Sequence, residues 1–111
     1  MNYNIKPSPA FLKEFKRLYK RYHSLKTDVD MLVASLHEYP TQGTDLGGGV
    51  RKVRMAITSK GKGKSDGARV ITLTVLVTAT DTDLWLLTIY DKSERESISD
   101  AAIRALREEV G

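Results

Sequence analysis

The hydrophobic residues of the first 40 positions recur every three to four residues, a spacing that predicts two amphipathic helices. The first helix begins after Ser8, an N-cap followed by Pro9 in the first helical position, and continues to about Tyr22. The second runs over about residues 25–39, after a connection so short that an antiparallel hairpin is expected. A short edge strand over residues 3–5 is expected to precede both helices.

From residue 50 the hydrophobic period changes to two, the repeat of a β-strand, and three strands are predicted. The second of them is rich in β-branched residues, typical of a central strand, and the third is apolar on both faces and therefore buried. The segments between strands are rich in glycine, lysine and polar residues, which predicts loops. The predicted strands cover residues 50–57, 68–78 and 84–90, and the predicted loops cover residues 40–49, 59–67 and 79–83.

A last helix is predicted near the C-terminus, with Ser97 or Ser99 as its cap. The element order is then β-α-α-β-β-β-α, in a single domain over residues 1–111. The predicted fold class is α+β: an N-terminal helical hairpin packed on a mostly antiparallel, twisted sheet of about four strands, with a short C-terminal helix.

The composition removes several classes of chemistry. There is no cysteine, which excludes disulfides, thiolate metal sites and cysteine nucleophiles. His23 and His37 are the only histidines and stand apart, so neither a metal nor a cofactor is expected. Residues 63–65 resemble the end of a P-loop, but Thr58 stands where that motif needs glycine. No apolar run reaches the length of a membrane span or a signal peptide, so we expect a cytoplasmic protein with no membrane partner.

The net charge of +4 conceals four blocks of alternating sign. Seven bases against one acid give +6 in residues 1–26 and again in residues 51–69, whereas residues 27–50 and 70–111 carry −4 each. Two basic blocks in a nearly neutral protein indicate a surface that faces a polyanion. For the first block, the solvated face of an ordinary helix is the simpler explanation.

The second basic block combines a strand face with a loop. Lys52 and Arg54 share one face of the first predicted strand about 7 Å apart, which suits neighbouring phosphates as well as it suits a solvated sheet. The loop alternates lysine with glycine, and Arg69 opens the next strand. Glycine lets backbone N–H groups approach an anion closely while lysine supplies charge, so the loop favours phosphate binding. The predicted RNA- or phosphate-binding residues are Arg51, Lys60, Lys62 and Lys64.

The chain resembles the RelE/ParE superfamily of bacterial toxins, and within it the HigB-like branch. Three segments in a specific order carry the resemblance. The helical hairpin before them is less distinctive but fits in position, so the resemblance covers nearly the whole chain. The segments are Gly49-Val50-Arg51-Lys52-Val53-Arg54, Ser59 to Ser65 leading to Gly67-Ala68-Arg69-Val70-Ile71, and Leu86 to Glu94.

The resemblance implies a RelE-like fold and a toxin of a type II toxin–antitoxin system. Such toxins cleave messenger RNA on the ribosome and are held inactive by a cognate antitoxin, here expected to be a helix-turn-helix protein. The implied cleavage is metal-free: the 2′-hydroxyl of the RNA attacks the adjacent phosphate. This chemistry needs a proton acceptor, stabilisation of the developing charge and a proton donor. Arginine and lysine can stabilise the charge, and crowding lowers the pKa of a lysine so that it can act as a base.

The resemblance also indicates site residues. Lys52 and Arg54 match paired basic positions on the family's concave sheet face, Arg69 matches an arginine that opens the next strand, and Lys92 falls in a basic segment after the last strand. Tyr90 reads as a core residue, a base-stacking platform or a proton-transfer residue, with the pattern alone favouring core. The predicted catalytic residues are Lys52, Arg54, Arg69, Tyr90 and Lys92.

Two positions depart from RelE itself. Ser93 stands where RelE has an arginine after that lysine, and approximately Ser99 stands where RelE has a catalytic tyrosine. The general acid and base are therefore unassigned, with Tyr90 and Lys92 as substitutes. Two other functions remain open on the same fold: a ParE-like inhibitor of DNA gyrase, and a non-catalytic RNA- or ribosome-binding module.

Overall fold

The computed structural model describes residues 2–110 and confirms the predicted α+β fold, with helices on both faces of one sheet. Two 3₁₀ turns, Thr58–Lys60 and Lys64–Asp66, shape the lysine- and glycine-rich loop of residues 58–67, hereafter the basic loop. The other elements are β1 (Asn2–Pro7), α1 (Pro9–Tyr19), α2 (Leu25–Glu38), β2 (Thr44–Gly47), β3 (Val50–Met55), β4 (Ala68–Leu76), β5 (Asp81–Asp91) and α3 (Asp100–Val110).

The five strands lie in the order β1-β5-β4-β3-β2. β1 runs parallel to β5, and every other neighbouring pair is antiparallel, as the sequence predicted for most of the sheet. An irregularity between Ile71 and Thr72 shifts the β4–β5 register, so that Leu86 and Ile89 face one core and Leu87 and Tyr90 face the other. Across residues 2–110, no helix is long and apolar enough to cross a membrane.

The larger core lies between the sheet and the pair α1–α2. Phe11 and Leu18 of α1 are buried against it because the helix turns one apolar stripe toward the sheet. Ser8 caps α1 as predicted, its Oγ accepting a hydrogen bond from the Phe11 amide at 3.0 Å. Alternate residues of the central strands, including Val53 and Met55, complete this core.

The smaller core lies on the opposite face, under α3. Ile103 of α3 is buried with Val50, Ile71 and Leu73. Ser99 precedes the helix and its Oγ accepts from the Ala102 amide at 3.1 Å, as expected of a cap. Lys52 and Arg54 of β3 and Arg69 of β4 lie on this same face of the sheet.

Two sequence expectations about the sheet needed correction. The loop predicted for residues 40–49 contains β2, which pairs with β3 through Thr44 opposite Lys52 and Asp45 opposite Arg51. All four residues of β2 are exposed, so no hydrophobic alternation marks this strand. The turn predicted for residues 79–83 is shorter, because β5 already begins at Asp81 between β1 and β4.

The first helix also ends earlier than expected, at Tyr19 rather than Tyr22. The amides of Arg21 and Tyr22 both bond to the Leu18 carbonyl, which turns the chain out of the helix. This turn directs Tyr22 toward the end of β5, where its hydroxyl bonds to Asp91.

Candidate nucleic-acid interface

Three of the predicted site residues form one row across the sheet. Arg54 of β3 lies directly opposite Arg69 of β4, and Arg69 lies directly opposite Tyr90 of β5. Like charges directly opposite each other on neighbouring strands are destabilising. No carboxylate among the described residues forms an ion pair with either arginine. A doubly charged anion bound over Arg54 and Arg69 would neutralise both cations and replace their mutual repulsion with attraction to the anion.

Arg69 is buried, with 4 % of its surface exposed, and its guanidinium is bound by the backbone of the basic loop. Nη1 donates to the carbonyl oxygens of Lys64 at 2.9 Å and Ala68 at 3.1 Å, and Nη2 donates to that of Ser65 at 3.0 Å. A guanidinium has five N–H donors, so donors remain for a ligand. Arg69 therefore fixes the basic loop and keeps its charge at the row.

Lys52 lies two residues before Arg54 on the same face of β3, opposite Ile71. It is half-buried and, within residues 2–110, belongs to no ion pair. The structure thus places the predicted pair Lys52 and Arg54 side by side along one strand. Arg51, on the opposite side of the strand, instead contacts Asp45 at 3.8 Å, which separates it from the row.

Tyr90 is 5 % exposed, and its hydroxyl is buried with no hydrogen-bond partner among the described residues. Burial raises the pKa of Tyr90, against a smaller opposing effect of the cations Arg69 and Arg95. The phenol therefore keeps its proton at neutral pH. An unpartnered buried hydroxyl is uncommon in folded proteins and is a group that a ligand can satisfy.

Arg95, which was not predicted as a site residue, lies over the Tyr90 ring at 5.7 Å from its centroid. Its Nε donates to the Ser97 carbonyl at 3.1 Å. Ser93 stands where the resemblance would place an arginine, and no local pattern indicated that Arg95 lies over the tyrosine. Lys92 is half-buried and is brought to the start of β4 by a 3.1 Å bond from its amide to the Gly67 carbonyl.

Lys60 differs from the other lysines of the basic loop because it points inward. Its Nζ donates to Oδ1 of Asp91 at 2.9 Å and to the Asp66 carbonyl at 2.8 Å, and its side chain is only 12 % exposed. One ammonium group thus ties both ends of the loop to the end of β5. Lys60 was expected to bind phosphate directly, and the structure instead gives its charge to a buried carboxylate.

Asp91 is fully buried and accepts hydrogen bonds from three residues. Tyr22 Oη donates to Oδ2 at 2.6 Å, Lys60 donates to Oδ1, and Ser93 donates to Oδ1 from its amide at 2.9 Å and its hydroxyl at 2.8 Å. Burial by itself would raise the pKa of Asp91, but the bonds from Lys60, Tyr22 and Ser93 outweigh it and hold that pKa far below its ordinary value. Asp91 is therefore ionised.

A second buried carboxylate anchors the other side of the basic loop. Asp28 of α2 accepts bonds from the Thr58 amide at 2.9 Å and the Thr58 hydroxyl at 2.5 Å. Ser24 bonds to Asp28 and accepts the Ser59 amide at 2.9 Å. Neither acid was a sequence candidate, since isolated aspartates carry no spacing signal.

Lys62 and Lys64 lie on the exposed part of the basic loop, between the contacts made by Lys60 and Arg69. Within the described chain neither forms an ion pair. The structure thus brings together Arg54, Arg69, Tyr90 and Lys52, with the loop lysines at the end of the row. Across residues 2–110 no group of three or more histidine, aspartate or glutamate side chains converges as metal ligands would.

The chain matches the model of a known protein family. A family model described as the RelE toxin of the RelE/RelB toxin–antitoxin system matches residues 11–110. Among curated proteins, none matches the chain at a significant level. The family match spans both helical layers, all strands from β2 onward and every predicted site residue.

Proposed function

We propose that this chain, which belongs to the RelE toxin family of toxin–antitoxin systems, is a metal-free endonuclease that cleaves messenger RNA on the ribosome. Membership of the family makes the protein a toxin with a cognate antitoxin. The HigB-like branch stays a prediction. The proposed setting is the cytoplasm, and the proposed antitoxin is a helix-turn-helix protein.

The observation that carries the proposal is the row Arg54–Arg69–Tyr90, which combines two adjacent cations with a protonated, unpartnered phenol. In the proposed step, the 2′-oxygen of the RNA bonds to the adjacent phosphorus and the bond from phosphorus to the 5′-oxygen breaks. The products are a 2′,3′-cyclic phosphate and a free 5′-hydroxyl. Arg54 and Arg69 stabilise the extra negative charge of the phosphorane.

Two protons move in this step. Tyr90 donates one to the leaving 5′-oxygen, since its raised pKa keeps it protonated. Its hydroxyl is buried in the unbound protein and Arg95 lies over its ring, so the proposal requires the side chains around the hydroxyl to move when RNA binds. The proton of the 2′-hydroxyl goes to the neutral amine of a lysine, which becomes an ammonium, with Lys52 and Lys92 as the candidates. The pH–rate profiles of the Lys52→Ala and Lys92→Ala proteins distinguish these two.

The test compares Arg54→Ala with Lys16→Ala, because both side chains are exposed cations without an ion pair in the described chain. After induction, growth is followed and the ends of cleaved messenger RNA are mapped. Arg54→Ala is expected to slow cleavage by about 100-fold, the loss typical of one stabilising donor. Lys16→Ala is expected to arrest growth like the parent protein.

Other results would contradict the proposal. Growth arrest with intact messenger RNA and altered DNA supercoiling would identify a gyrase inhibitor. Salt-sensitive ribosome binding that leaves bound message intact would identify a binding module. Full toxicity of Arg54→Ala combined with Arg69→Lys would show that the row is not the site. Arg69→Lys is chosen because lysine keeps the positive charge that the buried position holds.

A further inference from the structure

The hairpin that joins β4 to β5 extends past the end of its neighbour β3. The last pair between β3 and β4 is Val50 with Leu73, and one further bond runs from the Thr74 amide to the Gly49 carbonyl at 3.0 Å. Beyond Thr74, β4 has β5 on one side and no strand of the described chain on the other. Residues 75–77 therefore form a free edge of the sheet, hereafter the hairpin edge.

The hairpin edge is apolar and exposed. Val75, Leu76 and Val77 are 40 %, 68 % and 56 % exposed, and within residues 2–110 no other run of adjacent large hydrophobic residues is exposed in this way. Edge strands usually carry a charge or a proline, which prevents them from pairing with another chain. The three residues of the hairpin edge include neither.

The backbone of Leu76 points toward the free side. In an antiparallel sheet the N–H and C=O groups of one residue point to the same neighbouring strand, and those of the next residue point to the other side. The Thr74 amide points to β3, where it bonds to Gly49, and the Val77 amide points to β5, where it bonds to the Asp81 carbonyl at 3.0 Å. The N–H and C=O of Leu76, two residues after Thr74, therefore face the side without a strand.

The sequence around Leu76 is self-complementary. Thr74-Val75-Leu76-Val77-Thr78 reads the same in both directions. Two copies that pair antiparallel about a twofold axis at Leu76 would set Leu76 opposite Leu76, and Val75 of each copy opposite Val77 of the other. Side chains directly opposite each other interact across such a strand pair, and an isologous contact of this kind closes after two copies.

We propose that the hairpin edge pairs with the same edge of a second copy of this chain, which forms a twofold dimer centred on Leu76. Two main-chain bonds join the Leu76 residues, and pairing stops at Val75 because the Thr74 amide is already bonded to Gly49. Three residues a side bury less than the roughly 1,200 Å² of a stable interface, so the dimer is weak. Arg69 lies about 23 Å from Leu76 along β4, so both copies keep the arginine row open. The pairing does not depend on the proposed RNA cleavage.

Sedimentation equilibrium of the full chain, from about 10 μM to about 1 mM, measures the assembly. The weight-average mass of the parent protein is expected to rise from 12.4 kDa toward twice that value. Leu76→Lys should remain monomeric at every concentration, because two like charges would meet at the twofold axis. Leu12→Lys is the matched control, since Leu12 of α1 is also an exposed leucine, and it should assemble like the parent protein.

Disulfide cross-linking tests the register, because the chain has no cysteine of its own. The Cα atoms of the two Leu76 residues would lie about 5.5 Å apart, within the reach of a disulfide. Those of the two Val75 residues would lie about 8–9 Å apart, beyond that reach. On oxidation, Leu76→Cys should therefore form a covalent dimer at least about tenfold faster than Val75→Cys or Leu12→Cys.

A parent protein that is monomeric at about 1 mM, with equal cross-linking rates in the three cysteine variants, would overturn the proposal. A dimer that Leu76→Lys leaves intact would also overturn it, because another surface would then hold the two copies together. Loss of antitoxin binding in Leu76→Lys, with a parent protein that stays monomeric, would assign the hairpin edge to the antitoxin and overturn the self-pairing.

Discussion

Replacing Asp91 with asparagine removes the negative charge at the anchor of the basic loop while nearly preserving the shape of the side chain. Asp91 accepts bonds from Lys60, Tyr22 and Ser93. Asparagine keeps one acceptor oxygen and turns the other position into a donor. At the Oδ1 position that donor would oppose Lys60 and Ser93, and at the Oδ2 position it would oppose the Tyr22 hydroxyl. In either orientation the ammonium of Lys60, on a side chain only 12 % exposed, would lose its counter-charge.

Breaking a buried ion pair by removing one partner costs about 3–5 kcal/mol, because an uncompensated charge remains buried. This is a large part of the roughly 5–15 kcal/mol that stabilises a domain of this kind. Small proteins lose about 1–3 kcal/mol of stability per molar urea. The urea midpoint of Asp91→Asn is therefore expected to fall by about 2 M.

Equilibrium unfolding in urea measures this shift, with fluorescence from Trp85, the only tryptophan, as the signal. Trp85 packs against the core under α3, so its emission reports unfolding of the sheet. Asp45→Asn is the control, because Asp45 is largely exposed and lies 3.8 Å from Arg51. Its effect should stay within about 0.5 kcal/mol. Equal, small shifts in both variants would refute the buried-pair reasoning.

The pH dependence gives the same argument an independent check. The folded pKa of Asp91 lies below the ordinary 3.8, so the folded state holds its proton less tightly than the unfolded state. The stability that this carboxylate contributes is complete above pH 3.8 and is lost as the pH falls toward the folded pKa. The gap in unfolding free energy between the parent protein and Asp91→Asn should shrink on acidification below that pH. A gap that widens would contradict the assignment.

Three further predictions concern packing, capping and titration. Gly67→Ala would drive a Cβ into the Met55 carbonyl oxygen, so it should lower stability by about 1–3 kcal/mol or more. Gly63→Ala, with open space around it, should leave the urea midpoint nearly unchanged. Ser8→Ala removes the cap of α1 and should cost about 0.5–2 kcal/mol in the same assay. Burial raises the pKa of Tyr90, so the parent protein should lose stability as the pH rises above 10 while Tyr90→Phe loses less; equal losses would contradict the assignment.

The elements that sequence reasoning found are those whose side chains divide between water and core. The apolar stripe of α1 and its Ser8 cap are both local patterns, and so is the β-branched run of β4. β2 was missed because none of its residues is buried, and its existence depends on pairing with β3. Three consecutive glycines with positive φ, Gly47, Gly48 and Gly49, make the turn between them, but glycine alone predicts only a loop.

The candidate site was only partly predictable, for a similar reason. Composition marked the lysines of the basic loop as equivalent, and the structure separates them. Lys60 lies over a carboxylate 31 residues away in sequence, which no local pattern can indicate. The adjacency of Arg54 and Arg69 follows from the β3–β4 register, and the burial of the Tyr90 hydroxyl without a hydrogen-bond partner among the described residues follows from packing. These three features can be predicted only when the tertiary fold is known.

The distribution of acids among the bases of the second basic block argues for a functional origin of the arginine row. Arg51 and Lys60 each have a carboxylate partner, so the chain supplies acids where a cation needs one for stability. Arg54 and Arg69, directly opposite each other on neighbouring strands, have none within the described residues. Selection for stability alone would favour an acid at either position, since opposite charges across strands stabilise a sheet and like charges destabilise it. The absence of an acid beside this pair therefore supports the proposed role of Arg54 and Arg69, in which an RNA phosphate carries the missing negative charge.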